Sequence, residues 1–185
     1  MWKMAEEIAA KEGRLDICVA NAGIAHIAEC LEYSAKDFQK VIDVNLNGVM
    51  FTAQAAGRQM VRLGTKGSII LTASISGSIA NKGRHAIAYN TSKAAVLQIA
   101  RSMACELGMK GIRVNSISPG YIETDLTRQY LETEPDLRAG WSSQNPLGRL
   151  GRPDELRGVA LWLASQASSF CTGSDIIVDG GHRAW

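Results

Sequence analysis

The stretch YNTSKAAVLQIARSMACELGMKGIRVNSISPG, residues 89–120, joins a helical pattern directly to a strand pattern. Apolar residues stand at positions 95, 96, 99, 100, 103 and 107, which is the spacing of one buried helix face. Residues 112–118, with the β-branched Ile112, Val114 and Ile117, then form a short strand pattern, and Pro119-Gly120 ends it. The stretch predicts a helix from residue 89 to about 109, followed at once by a buried strand.

The same alternation continues on both sides of this stretch. Further strands are predicted for 15–20, 67–74 and 175–178, and further helices for 2–12, 34–63 and 153–165. The long second helix has Ser34 as its predicted N-cap and Gly64 as its stop. Strands that are apolar on both faces and alternate with helices are typical of a parallel sheet covered by helices. The pattern predicts a single α/β domain with a doubly wound parallel sheet.

Residues 121–151 interrupt this pattern with an irregular, polar segment that is too long for an ordinary connection. Such insertions often form lids over a binding site, and a passive surface excursion is the alternative. Within the segment, Trp141 and residues 126–131 are candidates to line a pocket. Trp141 suits a purely structural role in packing the segment against the body equally well.

Composition restricts the class of the protein. The chain has 185 residues, 46% of them hydrophobic, which is enough apolar material for one substantial core. Its 20 basic and 18 acidic residues give a net charge of +2 without a basic block, so nucleic acid is not an expected partner. Apolar runs are too short for a membrane span, and no signal-peptide pattern is present. We therefore expect no membrane partner and a cytoplasmic location.

The cysteines and histidines carry no metal-binding pattern. None of the cysteines has CxxC spacing, and their apolar or helical surroundings favour buried free thiols in a reducing compartment. They are Cys18, Cys30, Cys105 and Cys171. His26, His85 and His182 are too scattered along the chain to suggest a metal site, so no metal is expected.

Tyr89 and Lys93 stand four residues apart at the start of a predicted helix, so both side chains project from one face. A nearby cation favours the phenolate form of tyrosine. Lys93 is therefore expected to lower the pKa of Tyr89 toward the range useful for acid–base chemistry. Taken alone, the pair also suits an amphipathic surface turn.

Small and polar residues follow three successive predicted strands. Asn21-Ala22-Gly23 follow the first, Ser74 ends the second, and Ser118-Pro119-Gly120 end the third. In a parallel sheet these ends meet at one edge, where ligands bind. The Ser74 hydroxyl can donate to a substrate carbonyl oxygen, with Ser76 as the competing choice, although either serine also suits a turn cap.

Asn45 is a polar residue within the apolar part of the long predicted helix. A buried amide needs hydrogen-bond partners, so Asn45 is expected to hold either a kink or a water molecule.

Together these residues resemble the classical short-chain dehydrogenase/reductase family over essentially the whole chain. Asn21-Ala22-Gly23 resembles the family's NAG motif, and Asn45 its active-site asparagine. Ser74 resembles its serine, and Tyr89 with Lys93 resembles its YxxxK pair. Ser118-Pro119-Gly120 resembles the PG turn that precedes its substrate lid. Five motifs in this order are far more specific than any one of them.

The resemblance implies a partial Rossmann-type doubly wound parallel sheet and a role for each motif. Tyr89 would exchange a proton with the substrate oxygen, and Lys93 would lower its pKa while binding the nicotinamide ribose. Ser74 would orient the substrate, and Asn45 would hold a water in the proton relay. The implied cofactor-binding residues are Asn21, Ala22, Gly23, Tyr89, Lys93, Pro119, Gly120, Ile122 and Thr124.

Within the family, the chain is most similar to fungal sorbose reductase and NADP-dependent mannitol dehydrogenase-like members. This likeness rests on residues 72–77, on residues 115–122, on the fifteen-residue step from Ser74 to Tyr89 and on the Asp179-Gly180-Gly181-His182 ending. It implies hydride transfer between NADP(H), in preference to NAD(H), and a ketose/polyol pair. It also implies a homo-oligomer, dimer or tetramer, that assembles through the helices at 34–63 and 89–109.

The family's cofactor loop, TGxxxGxG after the first strand, has no counterpart in this sequence. The resemblance implies that residues 1–185 are an N-terminally truncated domain in which 15–20 form an unpaired edge strand. Two alternatives to a polyol oxidoreductase therefore stay open. One is a catalytically silent fragment that acts only by subunit association, and the other is a 3-oxoacyl-type ketoreductase of the same family.

Overall fold

The computed structural model describes residues 1–134 and 136–185 as alternating helices and strands. The strands are β1 Ile17–Ala20, β2 Gly67–Thr72, β3 Ile112–Pro119 and β4 Asp175–Val178. The helices are α1 Trp2–Glu12, α2 Ala35–Ile42, α3 Gly48–Leu63, α4 Ile87–Leu107, α5 Asp125–Thr133, α6 Leu137–Ser143 and α7 Arg157–Ala164. In the part of the chain described, no helix is long and apolar enough to cross a membrane.

The strands form a parallel sheet in the order β1-β2-β3-β4. In its register, Ile70 of β2 lies between Val19 of β1 and Asn115 of β3. Because every strand runs the same way, the carboxyl ends of all the strands meet at one edge. The prediction of an α/β doubly wound parallel sheet is confirmed.

Two apolar layers cover the faces of the sheet. Ile69 and Leu71 of β2 point toward α3 and α4, whereas Ile70 points toward α7, and all three are fully buried. This alternation follows from the two-residue period of a strand. Full burial of each such side chain contributes roughly 1.5–3 kcal/mol, so the central strand anchors both layers.

The long helix predicted for residues 34–63 is interrupted by a π-helical turn, Asp43–Asn47. Its ends agree with the prediction, since the Ser34 Oγ accepts from the Asp37 N–H at 3.0 Å and Gly64 adopts a positive φ of 65°. The interruption places Asn45 inside the fold with no exposed surface. Single-turn π bulges are frequent at functional sites.

The segment 121–151 contains two helices, α5 and α6, where the sequence predicted irregular structure. Thr124 caps α5, since its hydroxyl accepts from the Thr127 N–H at 3.4 Å and the Thr127 hydroxyl accepts from the Thr124 N–H at 2.8 Å. Such reciprocal caps stabilise helices that are otherwise polar. Because the segment has few apolar residues, the apolar spacing of the sequence did not predict α5 and α6.

Other boundaries depart modestly from the sequence. Pro153 begins a 3₁₀ turn, Pro153–Leu156, and α7 follows at Arg157. Strand β1 is at the edge of the sheet, and Ile17 and Val19 are 47% and 51% exposed, as expected for an edge strand. The expectation of buried thiols is wrong for Cys30, in a loop, and Cys105, on α4, because both are exposed.

Candidate active site

A cavity of about 490 Å³ opens at the carboxyl ends of β1, β2 and β3. We call it the strand-end cavity. All the residues predicted to bind cofactor border it, together with Ser74: Asn21, Ala22, Gly23, Tyr89, Lys93, Pro119, Gly120, Ile122 and Thr124. Residues that lie up to about a hundred positions apart in the chain therefore face one space, because the parallel sheet brings their strand ends together.

A second cavity, of about 110 Å³, lies beneath the segment 121–151 and is called the lid cavity. Its lining includes Ser74, Ser76, Asn81, Arg84, Tyr89, Tyr121, Leu126, Tyr130 and Trp141. Tyr89 and Ser74 border both cavities. They stand where a ligand in one cavity would meet a ligand in the other.

Lys93 lies one helical turn after Tyr89, as the sequence predicted. Its ammonium nitrogen is 5.6 Å from the centre of the Tyr89 ring and donates to the Thr72 carbonyl oxygen at 2.7 Å. The residue is only 3% exposed, and burial lowers the pKa of Lys93 to about 8. The Thr72 carbonyl, at the end of β2, fixes the position of this buried cation.

The pKa of Tyr89 moves in the opposite direction from the prediction. Burial raises the pKa of the phenol, and a hydrogen bond with the Ser74 side chain partly opposes that shift. The expectation that Lys93 sets a lowered pKa is therefore wrong in this geometry. Removing the phenol from water disfavours its charged form more strongly than the nearby groups favour it.

Ser74 caps a turn and also borders the two cavities, so its position is compatible with both roles that the sequence left open. Its Oγ accepts from the Ser76 N–H at 3.2 Å and so caps the 3₁₀ turn Ile75–Gly77. Acceptance leaves the hydroxyl proton free to donate toward Tyr89 and the cavities. Ser76 is also buried and borders only the lid cavity, so the geometry favours Ser74 at the junction.

Asn45 borders neither cavity, and its side chain instead bonds the backbone of Ile24 and the hydroxyl of Ser92. Its Oδ1 accepts from the Ile24 N–H at 2.8 Å, and its Nδ2 donates to the Ile24 carbonyl at 2.9 Å and to the Ser92 Oγ at 3.1 Å. Ser92 in turn donates to the Tyr89 carbonyl at 2.7 Å. Asn45 thus ties the loop after β1 to the start of α4. Its place in the π-helical turn Asp43–Asn47 agrees with the expected role at a helix irregularity, and the water stays a prediction.

At this edge of the sheet, two glycines allow other atoms to lie close to the backbone. A Cβ on Gly23 would lie 3.4 Å from the Asn45 Oδ1 and 3.6 Å from the Lys93 Nζ. A Cβ on Gly120 would lie 2.7 Å from the Asp179 Cα, where β3 and the end of β4 touch. Glycine at position 23 therefore keeps the floor of the strand-end cavity open, and glycine at position 120 permits the turn after β3.

Comparison with known proteins finds similar sequences and structures. A family model described as enoyl-(acyl carrier protein) reductase matches residues 1–183. Sorbose reductase sou1 of Schizosaccharomyces pombe is 53% identical over 171 residues, covering 92% of this chain and 65% of its own length. A short-chain type dehydrogenase/reductase from Mycobacterium marinum superposes with a TM-score of 0.92 and 48% identity, over 97% of this chain and 69% of that one.

The chain belongs to the short-chain dehydrogenase/reductase family. It spans 65% of the length of the curated sorbose reductase that it matches. A gluconate 5-dehydrogenase from Burkholderia cenocepacia, solved in complex with NADP and tartrate, also superposes, with a TM-score of 0.94 and 35% identity over 100% of this chain and 71% of that chain.

In this short-chain dehydrogenase/reductase, the lid cavity is also lined by residues that were not identified from the sequence. Tyr121 stacks on Trp141 with the ring centres 4.2 Å apart and the rings 11° from parallel, and the Tyr121 hydroxyl accepts from the Asn81 amide at 3.1 Å. Tyr121 directly follows the Pro119-Gly120 turn, which was an available signal. No feature of the sequence pointed to Arg84, which lies on the loop before α4.

The lid cavity also resolves the two readings of Trp141 in this family member. The side chain is only 4% exposed, because it packs against Tyr121, and it borders the lid cavity as well. Leu126 and Tyr130 of the predicted stretch 126–131 face the same cavity. Trp141 therefore both anchors the segment and lines the space beneath it.

Proposed function

We propose that this chain carries the acid–base machinery of an oxidoreductase that transfers a hydride between NADP(H) and a ketose/polyol pair. The observation that carries the proposal is the position of Tyr89 and Ser74 on the shared wall of the two cavities. A cofactor in the strand-end cavity and a substrate in the lid cavity would meet at these two hydroxyl groups. The catalytic set is completed by Lys93 and, as a positioning residue, Asn45.

The strand-end cavity suits the nicotinamide end of a dinucleotide. Gly23 leaves space beside Lys93 that a Cβ would narrow, and the buried ammonium group of Lys93 faces the same cavity. Asn21, Gly120, Ile122 and Thr124 would surround the ring and ribose. When bound, the dinucleotide supplies or accepts the hydride.

The proton steps follow from the positions of three side chains. In the direction of reduction, the Tyr89 hydroxyl gives its proton to the substrate carbonyl oxygen while the Ser74 hydroxyl donates a hydrogen bond to that oxygen. The raised pKa of Tyr89 keeps the phenol protonated at neutral pH, which is the form a proton donor needs. The Lys93 ammonium group, held by Thr72 at 5.6 Å from the centre of the Tyr89 ring, would offset part of the cost that burial imposes on the resulting phenolate.

Relatives support the substrate and cofactor in this proposal. The similar protein from Schizosaccharomyces pombe is a sorbose reductase, and the similar Burkholderia enzyme was solved with NADP. The lid cavity mixes hydroxyl, amide and guanidinium groups with aromatic faces, a lining that suits a polyhydroxylated substrate. Four free cysteines are compatible with the cytoplasmic location that we also propose.

The proposal is tested by fluorescence titration of residues 1–185 with NADPH and by following NADPH oxidation with L-sorbose. We expect micromolar binding of NADPH. Tyr89→Phe should lower turnover by about 10²–10⁴-fold while changing NADPH affinity by less than about threefold, because general acid catalysis is lost and the cavity is kept. Tyr33→Phe is the matched control, since Tyr33 borders neither cavity. Equal turnover in wild type and Tyr89→Phe would contradict the assignment.

A second candidate function is association without catalysis, and one observation favours it. An apolar groove of about 620 Å³ lies between α3 and α4. Its lining includes Met50, Gly57, Val61, Ala95, Ile99, Met103 and Leu107. We propose homo-oligomerisation through this groove. Absence of NADPH binding by an associated chain would favour association as the sole function.

A further inference from the structure

Arg84 forms part of the wall between the lid cavity and a more external cavity of about 400 Å³. We call the latter the outer cavity. A turn fixes the place of Arg84, since its N–H donates to the Asn81 carbonyl at 3.1 Å and Gly83 adopts a positive φ of 74°. The Arg84 side chain is only 11% exposed, although it carries a permanent charge.

Aromatic rings and one carboxylate hold this guanidinium group. Its Cζ lies 4.9 Å from the ring centre of Tyr130 and 5.1 Å from that of Trp141. Its Nη1 donates to the Glu134 Oε1 at 3.0 Å. The bond to Glu134 occupies one of five N–H donors in a guanidinium group.

Glu134 compensates the charge of Arg84 from outside the lid cavity, where the substrate is proposed to bind. Glu134 borders the outer cavity, whereas Arg84 borders both the outer cavity and the lid cavity. Lys82 and Asp136 also border the outer cavity and contribute one charge of each sign. The positive charge of Arg84 is therefore offset from the side away from Tyr89 and Ser74.

An arginine in a substrate cavity attracts carboxylates unless its charge is already compensated. With Glu134 in place, the remaining donors of Arg84 can bond the neutral hydroxyl oxygens of a polyol, and an added carboxylate would meet a nearby negative charge. Tyr121 and Tyr130 also line the lid cavity and add apolar ring surface for the carbon chain of a sugar.

We propose that Arg84 determines substrate specificity in the lid cavity, and that its pairing with Glu134 selects uncharged polyols and ketoses over sugar acids. The inference rests on the proposed function, because Tyr89 and Ser74 define the reacting end of the cavity. Arg84 contacts the substrate, and Glu134 acts through Arg84 as a positioning residue.

The experiment compares binding of two probes, D-sorbitol and D-gluconate, to residues 1–185 by saturation-transfer difference NMR in the presence of NADPH. The two probes have the same carbon number and differ chiefly in one carboxylate. We expect the wild type to transfer saturation preferentially to D-sorbitol. Glu134→Gln should raise the gluconate-to-sorbitol ratio about three- to tenfold, because it leaves the Arg84 charge uncompensated.

The chain offers a matched control in the same segment. Glu123 pairs with Arg138 and borders none of the three cavities. Glu123→Gln therefore removes the same charge from an arginine–glutamate pair whose arginine is more exposed, and the probe ratio should stay at its wild-type value. An equal gain in Glu123→Gln would overturn the proposal, because net charge alone would then explain the result.

Arg84→Met shows whether the effect passes through the guanidinium group. Methionine keeps an unbranched stem against the rings of Tyr130 and Trp141 and removes the charge. In the double variant Arg84→Met/Glu134→Gln, the gain in gluconate binding should disappear. Retention of the gain, an unchanged ratio in Glu134→Gln, or no saturation of either probe by the wild type would each overturn the proposal.

Failure of the proposed function gives a different result. Loss of that function would appear as absent NADPH oxidation with L-sorbose. A shifted probe ratio in Glu134→Gln without turnover would still support Arg84 as the specificity residue. Normal turnover with an unchanged probe ratio would retain the oxidoreductase and remove the role of Arg84.

Discussion

Lys93 is buried at the base of the strand-end cavity, with its ammonium group bonded to the Thr72 carbonyl. Burial lowers its pKa from 10.5 to about 8, so the folded protein binds the Lys93 proton less tightly than the unfolded chain does. Between these two values the unfolded chain binds more protons, and the free energy of unfolding rises with pH. Below pH 8 both states are protonated, and the full penalty for burying the cation remains.

This residue gives the first pH prediction. Relative to Lys93→Met, the wild type should gain on the order of 3 kcal/mol in free energy of unfolding as pH rises from about 7.5 to 10.5. Urea denaturation of both proteins across that range measures the difference. Lys40→Met, at an exposed position on α2, keeps Lys93, so it provides the comparison and should gain as much as the wild type does. A difference that does not vary with pH would contradict burial as the cause.

At the scale of elements, the turn Ile75–Gly77 packs directly on the backbone of α4. A Cβ on Gly77 would lie 2.8 Å from the carbonyl carbon and oxygen of Lys93 and 2.9 Å from the Ala94 nitrogen. Backbone atoms inside a helix cannot move aside as a flexible side chain can. The close packing sets the distance between Ser74, which caps the turn, and Tyr89 on the helix.

Gly77→Ala should therefore separate the turn from α4 and lower the free energy of unfolding by about 1–3 kcal/mol. Turnover with L-sorbose should fall together with stability, because Ser74 moves relative to Tyr89. The matched change is Gly158→Ala on α7, where an added Cβ meets nothing within 4 Å. Its effect should stay within about 1 kcal/mol and favour the helix. Equal effects of the two substitutions in thermal and chemical denaturation would refute this account.

At the scale of the whole molecule, α3 and α4 cover one face of the sheet and present the apolar groove on their outer side. Arg58, Arg62, Glu106 and Lys110 stand among its lining residues and give it a charged border. An apolar centre with a charged border is the composition expected of a contact between subunits. These are the two helices through which we propose that the chain associates.

Val61 is 44% exposed at this groove, so Val61→Lys should prevent association without disturbing the core. In sedimentation velocity, we expect the wild type to sediment as a dimer or tetramer and Val61→Lys as a monomer. Leu31→Lys introduces the same charge at a residue that is 92% exposed and borders neither this groove nor the strand-end, lid or outer cavity. It should sediment as the wild type does. A monomeric wild type would contradict the proposal that the groove is an interface.

The sequence by itself determined the order of strands and helices, the parallel sheet and the candidate residues at the strand ends. These features depend on short-range regularities, such as the continuous apolar run Ile69-Ile70-Leu71 or the four-residue step from Tyr89 to Lys93. Each motif could be placed at the end of an element, and parallel strands bring such ends together. The strand-end residues Asn21-Ala22-Gly23, Ser74 and Pro119-Gly120 follow from this rule, whereas Ile122 and Thr124 were named from the family resemblance.

Only the tertiary structure decided which groups compensate one another across long separations. Arg84 and Glu134 are 50 positions apart in the chain. Asn45 bonds Ile24, which lies 21 positions before it, and Ser92, which lies 47 positions after it. The direction of the Tyr89 pKa shift likewise depends on how much water the completed fold excludes. Burial and distance are properties of the packed chain, and local spacing in the sequence does not contain them.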